Sequence, residues 1–260
     1  MPYSSLAKQN MHRLPQPGTI IASSFTSPID CLYLAAIFDP IFTASYPSTR
    51  LVQRISLFQA ILRALAPPQS TAPYNARLVP LSTLLRDNPD SSIVVLPECT
   101  TTNGRGILRF GPPLITAPPK TKIFPVSLRY TPSDITTPIP RTYFSFLWNL
   151  CSRPTHCIRV RIAEAVYNAS ASPTVRPEPP KAKNSYDTNF FDELGLGEKT
   201  ASSSDTLTAS SDDGEGLNMH ERKVLDRVAE DLARLGRVKR VGLGVKEKEE
   251  FVRAWTTKRK

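Results

Sequence analysis

What this 260-residue chain lacks narrows it first. It has no run of about 18 or more apolar residues, so no membrane-spanning helix is expected. Residues 1–16 are polar and hold no apolar core, so the start does not read as a signal peptide. Histidine is scarce: only His12, His156 and His220 occur. Cysteine is equally thin, at Cys31, Cys99, Cys151 and Cys157, and no two of them form a Cys-x2-Cys pair. That composition argues against a zinc site, and no metal or cofactor is expected. The thiols read as reduced groups of a cytosol-facing protein. Asn168-Ala169-Ser170 fits a glycosylation sequon that such a protein would leave unused.

What is present is a basic, proline-punctuated chain. Forty per cent of residues are hydrophobic, enough for a sizeable core. The net charge of +10 fits nucleic acid, an anionic membrane surface or anionic substrates. No recognised nucleic-acid motif accompanies it, so nucleic acid is not expected as a partner. Strands are expected over 18–23, 41–46, 93–96, 122–129 and 158–162, and helices over 29–38, 54–65 and 80–86. Residues 143–150 read as an aromatic helix or strand. Alternating strands and helices argue for an α/β domain. From residue 169 to 216 Pro, Ser, Thr, Asp and Glu dominate, which reads as a disordered acidic linker. Val224, Leu225, Val228, Leu232 and Leu235 then recur at helical spacing in a basic amphipathic tail, 217–260. That tail, which ends in Lys258-Arg259-Lys260, packs on the domain or attaches to an anionic membrane.

The most informative stretch is Leu96-Pro97-Glu98-Cys99-Thr100-Thr101-Thr102-Asn103-Gly104-Arg105-Gly106. It follows the buried-strand pattern Ile93-Val94-Val95, and Pro97 ends that ladder because it has no N–H to donate. A carboxylate is thereby set among hydroxyls, amides and glycines at a strand end, where ligands of open α/β sheets bind. Glycine lets the backbone approach a headgroup, and amides with Arg105 can meet a phosphate.

The run resembles the Phe-Pro-Glu-Gly-Thr block of the PlsC-like glycerolipid acyltransferases, and looks closest to their fungal lysophosphatidic acid acyltransferase branch. Leu96 and Cys99 stand where the family usually has Phe and Gly. Upstream, Ser23-Ser24-Phe25-Thr26-Ser27-Pro28-Ile29-Asp30 is similar to the His-x4-Asp block, with Phe25 in the place of histidine. Downstream, Lys122 to Arg129 is similar to the strand of the fourth block. The resemblance implies one acyltransferase domain over 17–168, with a mixed sheet flanked by helices.

It implies transfer of a fatty acyl group from acyl-CoA, as co-substrate, to a lysophospholipid such as lysophosphatidic acid. Asp30 is then the remaining member of the catalytic pair. Glu98, Thr100, Thr101, Asn103 and Gly104 hold the glycerol headgroup, Arg105 contacts its phosphate, and Arg54 falls near the family's acceptor-binding arginine. The implied setting is the cytosolic face of the endoplasmic reticulum or a lipid droplet, on an anionic membrane surface. Phenylalanine accepts no proton, and general-base catalysis is typically worth about 10²–10⁴ in rate. Either Asp30 or a serine hydroxyl with water relays the proton, or the chain binds lipid or acyl-CoA as an impaired pseudoenzyme.

Overall fold

The computed structural model describes residues 13–168 and 217–257. The expected linker, His12 and the terminal Lys258-Arg259-Lys260 lie outside the described residues. Eight strands form one mixed sheet: β1 (Ile20–Ser23), β2 (Ile41–Ala44), β3 (Val52–Ile55), β4 (Leu78–Val79), β5 (Ile93–Val95), β7 (Lys122–Thr131), β8 (Cys157–Ile162) and β9 (Val166–Tyr167). Their order is β4-β3-β2-β5-β1-β7-β8, with β9 beside the start of β7. The β2, β5, β1 and β7 centre is parallel, and the outer pairings are antiparallel. A separate two-stranded parallel sheet joins β6 (Gly106–Ile107) to β10 (Lys239–Arg240).

A parallel centre must be covered on both faces, and the alternation of β1 shows how. Ile20 and Ala22 face a cluster with Ile93, Val95 and Ile123, closed by Leu81, Leu84 and Leu85 of α3 (Leu81–Asp87) and by Val228 and Leu232 of α5 (Met219–Gly236). Ile21 faces the other way, with Val94, Val126 and Leu128. That side is closed by Cys31 and Leu34 of α1 (Pro28–Phe38) and Ala60 and Ala64 of α2 (Leu57–Leu65). Two further helices are α4 (Tyr143–Cys151) and α6 (Val245–Thr257).

One expectation changes. The stretch 54–65 is not one helix: Arg54 lies in β3, paired opposite Thr43. Ser56 caps α2 in a reciprocal box with Gln59, and these bonds start the helix at Leu57. For the first helix of the tail 217–260, packing on the domain is the reading that holds. That helix, α5, belongs to the core, and its last carbonyls accept from Arg129 (Gly236, 2.6 Å) and Arg161 (Leu235, 2.7 Å) of the sheet. At its other end Glu221 closes a capping box and takes both guanidinium nitrogens of Arg50, at 2.8 and 3.2 Å. Asn168 is fully buried and donates to the carbonyls of Ile115 and Ala117, so it is closed to a glycan.

Candidate functional site

Parallel strands bring their C-terminal ends to one edge, and β1, β5 and β2 deliver three loops there. The loop after β1 turns at Ser24-Phe25-Thr26-Ser27 into α1. Ser27 caps the helix and Pro28 occupies the first turn, where a missing N–H costs nothing. Asp30 completes the box. Its carboxylate accepts from the amides of Thr26 (2.6 Å) and Ser27 (2.9 Å), from the Thr26 hydroxyl (3.1 Å) and from the Tyr130 hydroxyl of β7. Burial pushes Asp30 up to about 6, against the pull of those four donors. Beside it, burial drives the Tyr130 phenol far above its usual range.

The loop after β5 places Glu98 against the first loop. Glu98 is fully buried, and its carboxylate accepts from the backbone amides of Phe25 (3.4 Å) and Leu108 (3.1 Å). Burial raises it to about 7, while the two amides and nearby Lys248 draw it down. The Thr102 amide donates to the Phe25 carbonyl at 2.9 Å, so residue 25 is gripped on both backbone groups by the 98–102 loop. Its ring is 1% exposed and packs in the α1–α2 cluster. Cys99 adopts a left-handed φ of 59°, the conformation for which glycine is the default residue. Its sulfur is so close to Gly111 that a Cβ there would lie 2.9 Å away.

The expected site residues divide into three groups. Asp30, Glu98, Thr100 and Thr101 converge and are buried, as is Phe25. Thr101 Oγ1 donates to the Thr137 carbonyl at 2.8 Å. Asn103, Gly104 and Arg105 form the outer lip. Gly104 takes φ of 67°, and a Cβ there would meet the Thr26 methyl at 3.5 Å. Asn103 Oδ1 accepts from the Arg105 amide, and both side chains are exposed. Arg54 stands apart, exposed on β3, two strands away from β5.

Two cations at this edge were not singled out from sequence. Arg63 of α2 donates to the Ser45 carbonyl (2.9 Å) and the Tyr46 hydroxyl (3.1 Å), and its guanidinium lies 4.5 Å from the Tyr46 ring centroid. Its charge opposes the burial that lifts the Cys99 thiol to about 12. Lys248 of α6 reaches in from the C-terminal segment, donating to the Thr101 carbonyl and, at 3.3 Å, to its hydroxyl. Burial lowers its amine to about 8, with Glu98 pulling the other way. The helical stripe of 54–65 carried Arg63 without marking it, and no local pattern joins residue 248 to residue 101.

One curated relative matches part of the chain. The chain is 26% identical over 148 residues to a Schizosaccharomyces pombe protein named "Putative lysophosphatidic acid:oleoyl-CoA acyltransferase". The chain is similar to an acyltransferase. The match covers 57% of this chain and 49% of the relative, so the chain spans about half the length of the relative it matches. No family model and no solved structure matches it. The similarity supports an acyltransferase family.

Proposed function

We propose that this domain transfers a fatty acyl group from acyl-CoA to a lysophospholipid of the lysophosphatidate type. The observation that carries the reading is the union of the two motif loops. Glu98, at the end of β5, is bonded to the backbone of the residue that stands in the histidine position of the family it resembles. The name of the Schizosaccharomyces pombe relative supports the same substrates. In the proposed reaction the acceptor hydroxyl loses a proton and its oxygen bonds to the thioester carbon. The C–S bond then breaks, and the departing CoA sulfur takes up a proton. Asp30 and Glu98 are the proton acceptors at hand, and burial has moved both toward neutral pH, where a base works best. The lip of Asn103, Gly104 and Arg105 receives the headgroup and its phosphate. The reaction takes place on an anionic membrane, at the cytosolic face of the endoplasmic reticulum or a lipid droplet.

A second reading, an impaired enzyme that binds acyl-CoA or lipid, is favoured by one specific observation. The Phe25 ring is committed to the core, and both Asp30 oxygens are held by Thr26, Ser27 and Tyr130. Purified protein incubated with labelled acyl-CoA and a panel of lysophospholipids separates the two. The expected outcome is slow transfer by the natural chain and a rise on Phe25→His, up to roughly 10²–10⁴. Binding of acyl-CoA without transfer by either protein establishes the second reading. Absence of any binding removes both.

A further inference from the structure

The large exposed apolar side chains are unevenly distributed. Eight of them lie on three helices: Leu32 and Ile37 on α1, Phe58 and Leu62 on α2, and Tyr143, Phe144, Leu147 and Trp148 on α4. These helices are also almost free of charge. Helix α4 has no charged residue, α1 has only the buried Asp30, and α2 has only Arg63. On the opposite face of the sheet α5 carries eight charged residues and exposes only Met219 among large apolar side chains. Scattered exposed apolar residues need no explanation, but a concentration of them on uncharged elements does.

Helix α4 is the extreme case. None of its residues is buried, and Phe144 and Trp148 are 90% and 76% exposed. Phe144, Leu147, Trp148 and Cys151 follow helical spacing and line a shallow apolar concavity of about 550 Å³. The helix is nonetheless held in place. Thr137 and Arg141, in the segment leading to it, donate to the carbonyls of Ala64 (3.0 Å) and Leu65 (2.9 Å) at the end of α2. Ser27, at the start of α1, donates to the Ile135 carbonyl at 2.7 Å. Asn149 of α4 donates to the Asp134 carbonyl at 3.0 Å, and His156 meets the Leu150 carbonyl at 2.9 Å. An ordered helix with an uncovered aromatic stripe is thus tied to the ends of the two helices that expose the other four of these eight side chains.

We propose that α4 is an in-plane membrane anchor, with its Phe144–Trp148 stripe inserted into the acyl boundary of an anionic bilayer. The choice of a bilayer over a protein rests partly on the lipid-acceptor reading above. It rests independently on the chemistry of the patch. Tyr and Trp suit the interface. The stripe offers no charged group for pairing with a protein partner, and the exposed Arg141 stands before the helix, where headgroup phosphates would lie, while Arg153 after it is paired with Asp134 at 3.0 Å. At nine residues α4 is about 14 Å long, too short to cross a hydrocarbon core of about 30 Å. No described helix is long and apolar enough to span one.

The chain has two tryptophans, so Trp255→Phe leaves Trp148 as a single reporter. The full chain carrying that change is titrated with vesicles of neutral phosphatidylcholine and of the same lipid mixed with phosphatidylserine. The expected result is a blue shift and quenching by brominated acyl chains, stronger on the anionic vesicles. In flotation, Phe144→Asp combined with Trp148→Asp should cut vesicle binding by about tenfold or more with unchanged circular dichroism, because both rings are already in water in the free protein. Trp148 emission unaltered by any vesicle, or a double variant that floats as well as the parent, overturns the proposal. So does a dimer that the double variant dissociates while vesicle binding stays unchanged, since α4 would then cover a second copy. Acyl-CoA titration without vesicles is read separately. Vesicle binding through Trp148 with no acyl-CoA binding upholds the anchor and removes the acyltransferase reading.

Discussion

Replacing Glu98 with Gln should make the protein more stable at neutral pH and slightly less stable in acid. Glu98 is fully buried and titrates near 7 instead of 4.5. A carboxyl whose folded value is raised contributes stability that is fully present below the unfolded value and lost as pH climbs through the folded one. The window here runs from 4.5 to about 7. Between those limits the carboxyl ionises in the unfolded chain while it stays protonated in the fold, which at about 1.4 kcal/mol per pH unit removes about 3 kcal/mol of stability. Glutamine keeps the shape and can still accept the Leu108 amide, but its nitrogen cannot accept the Phe25 amide, a loss of about 1 kcal/mol at every pH. The variant should thus lie about 1 kcal/mol below the natural protein near pH 4.5 and about 2 kcal/mol above it near pH 7.5. Urea unfolding followed by circular dichroism across that range measures both curves, and Asp30, common to both proteins, largely cancels in their difference. Parallel curves that never cross would refute the assignment of a burial-raised carboxyl to residue 98. If the headgroup role is also right, the stabler variant should lose lysophosphatidate binding.

Two further outcomes follow from neighbouring contacts. Lys248→Met removes the cation that draws Glu98 down, so the pH at which stability is lost should move upward, seen as a shifted midpoint in the same unfolding series; an unmoved midpoint would separate the two groups. Gly111→Ala should cost about 1–3 kcal/mol, because its methyl would press on the Cys99 sulfur at 2.9 Å, and Cys99→Ala in the same chain should recover most of that loss; additive losses in a double-mutant cycle would place the strain elsewhere.

The site was legible wherever its geometry is local. Pro97 marks the end of β5, and Glu98 follows a strand end as the apolar run implies. Leu57 to Leu65 gave the right helical face, but Ile55 extended the same periodicity backward over β3, whose pairing with β2 no local pattern announces. The commitment of Asp30 to Tyr130 was hidden because its partner lies 100 residues away. Lys248 was hidden for the same reason, reaching Thr101 across 147 residues. The tail 217–260 carried two readings, packing on the domain and attachment to an anionic membrane, and periodicity with charge did not choose between them; α5 spends its apolar face on the core.

That last placement has a topological consequence. The sheet face covered by Val228 and Leu232 is completed by a helix that the chain reaches only after residues 169–216. During synthesis, residues 13–168 must therefore wait with that face uncovered until residue 236 has emerged. A protease cut anywhere in 169–216 leaves a peptide holding α5 that is still clamped by Arg50, Arg129 and Arg161. The protein should accordingly behave as a natural split pair. Residues 1–171 and 217–260, expressed as two separate chains, should recover a folded assembly only when mixed, with an affinity that reports directly how much α5 contributes to the fold.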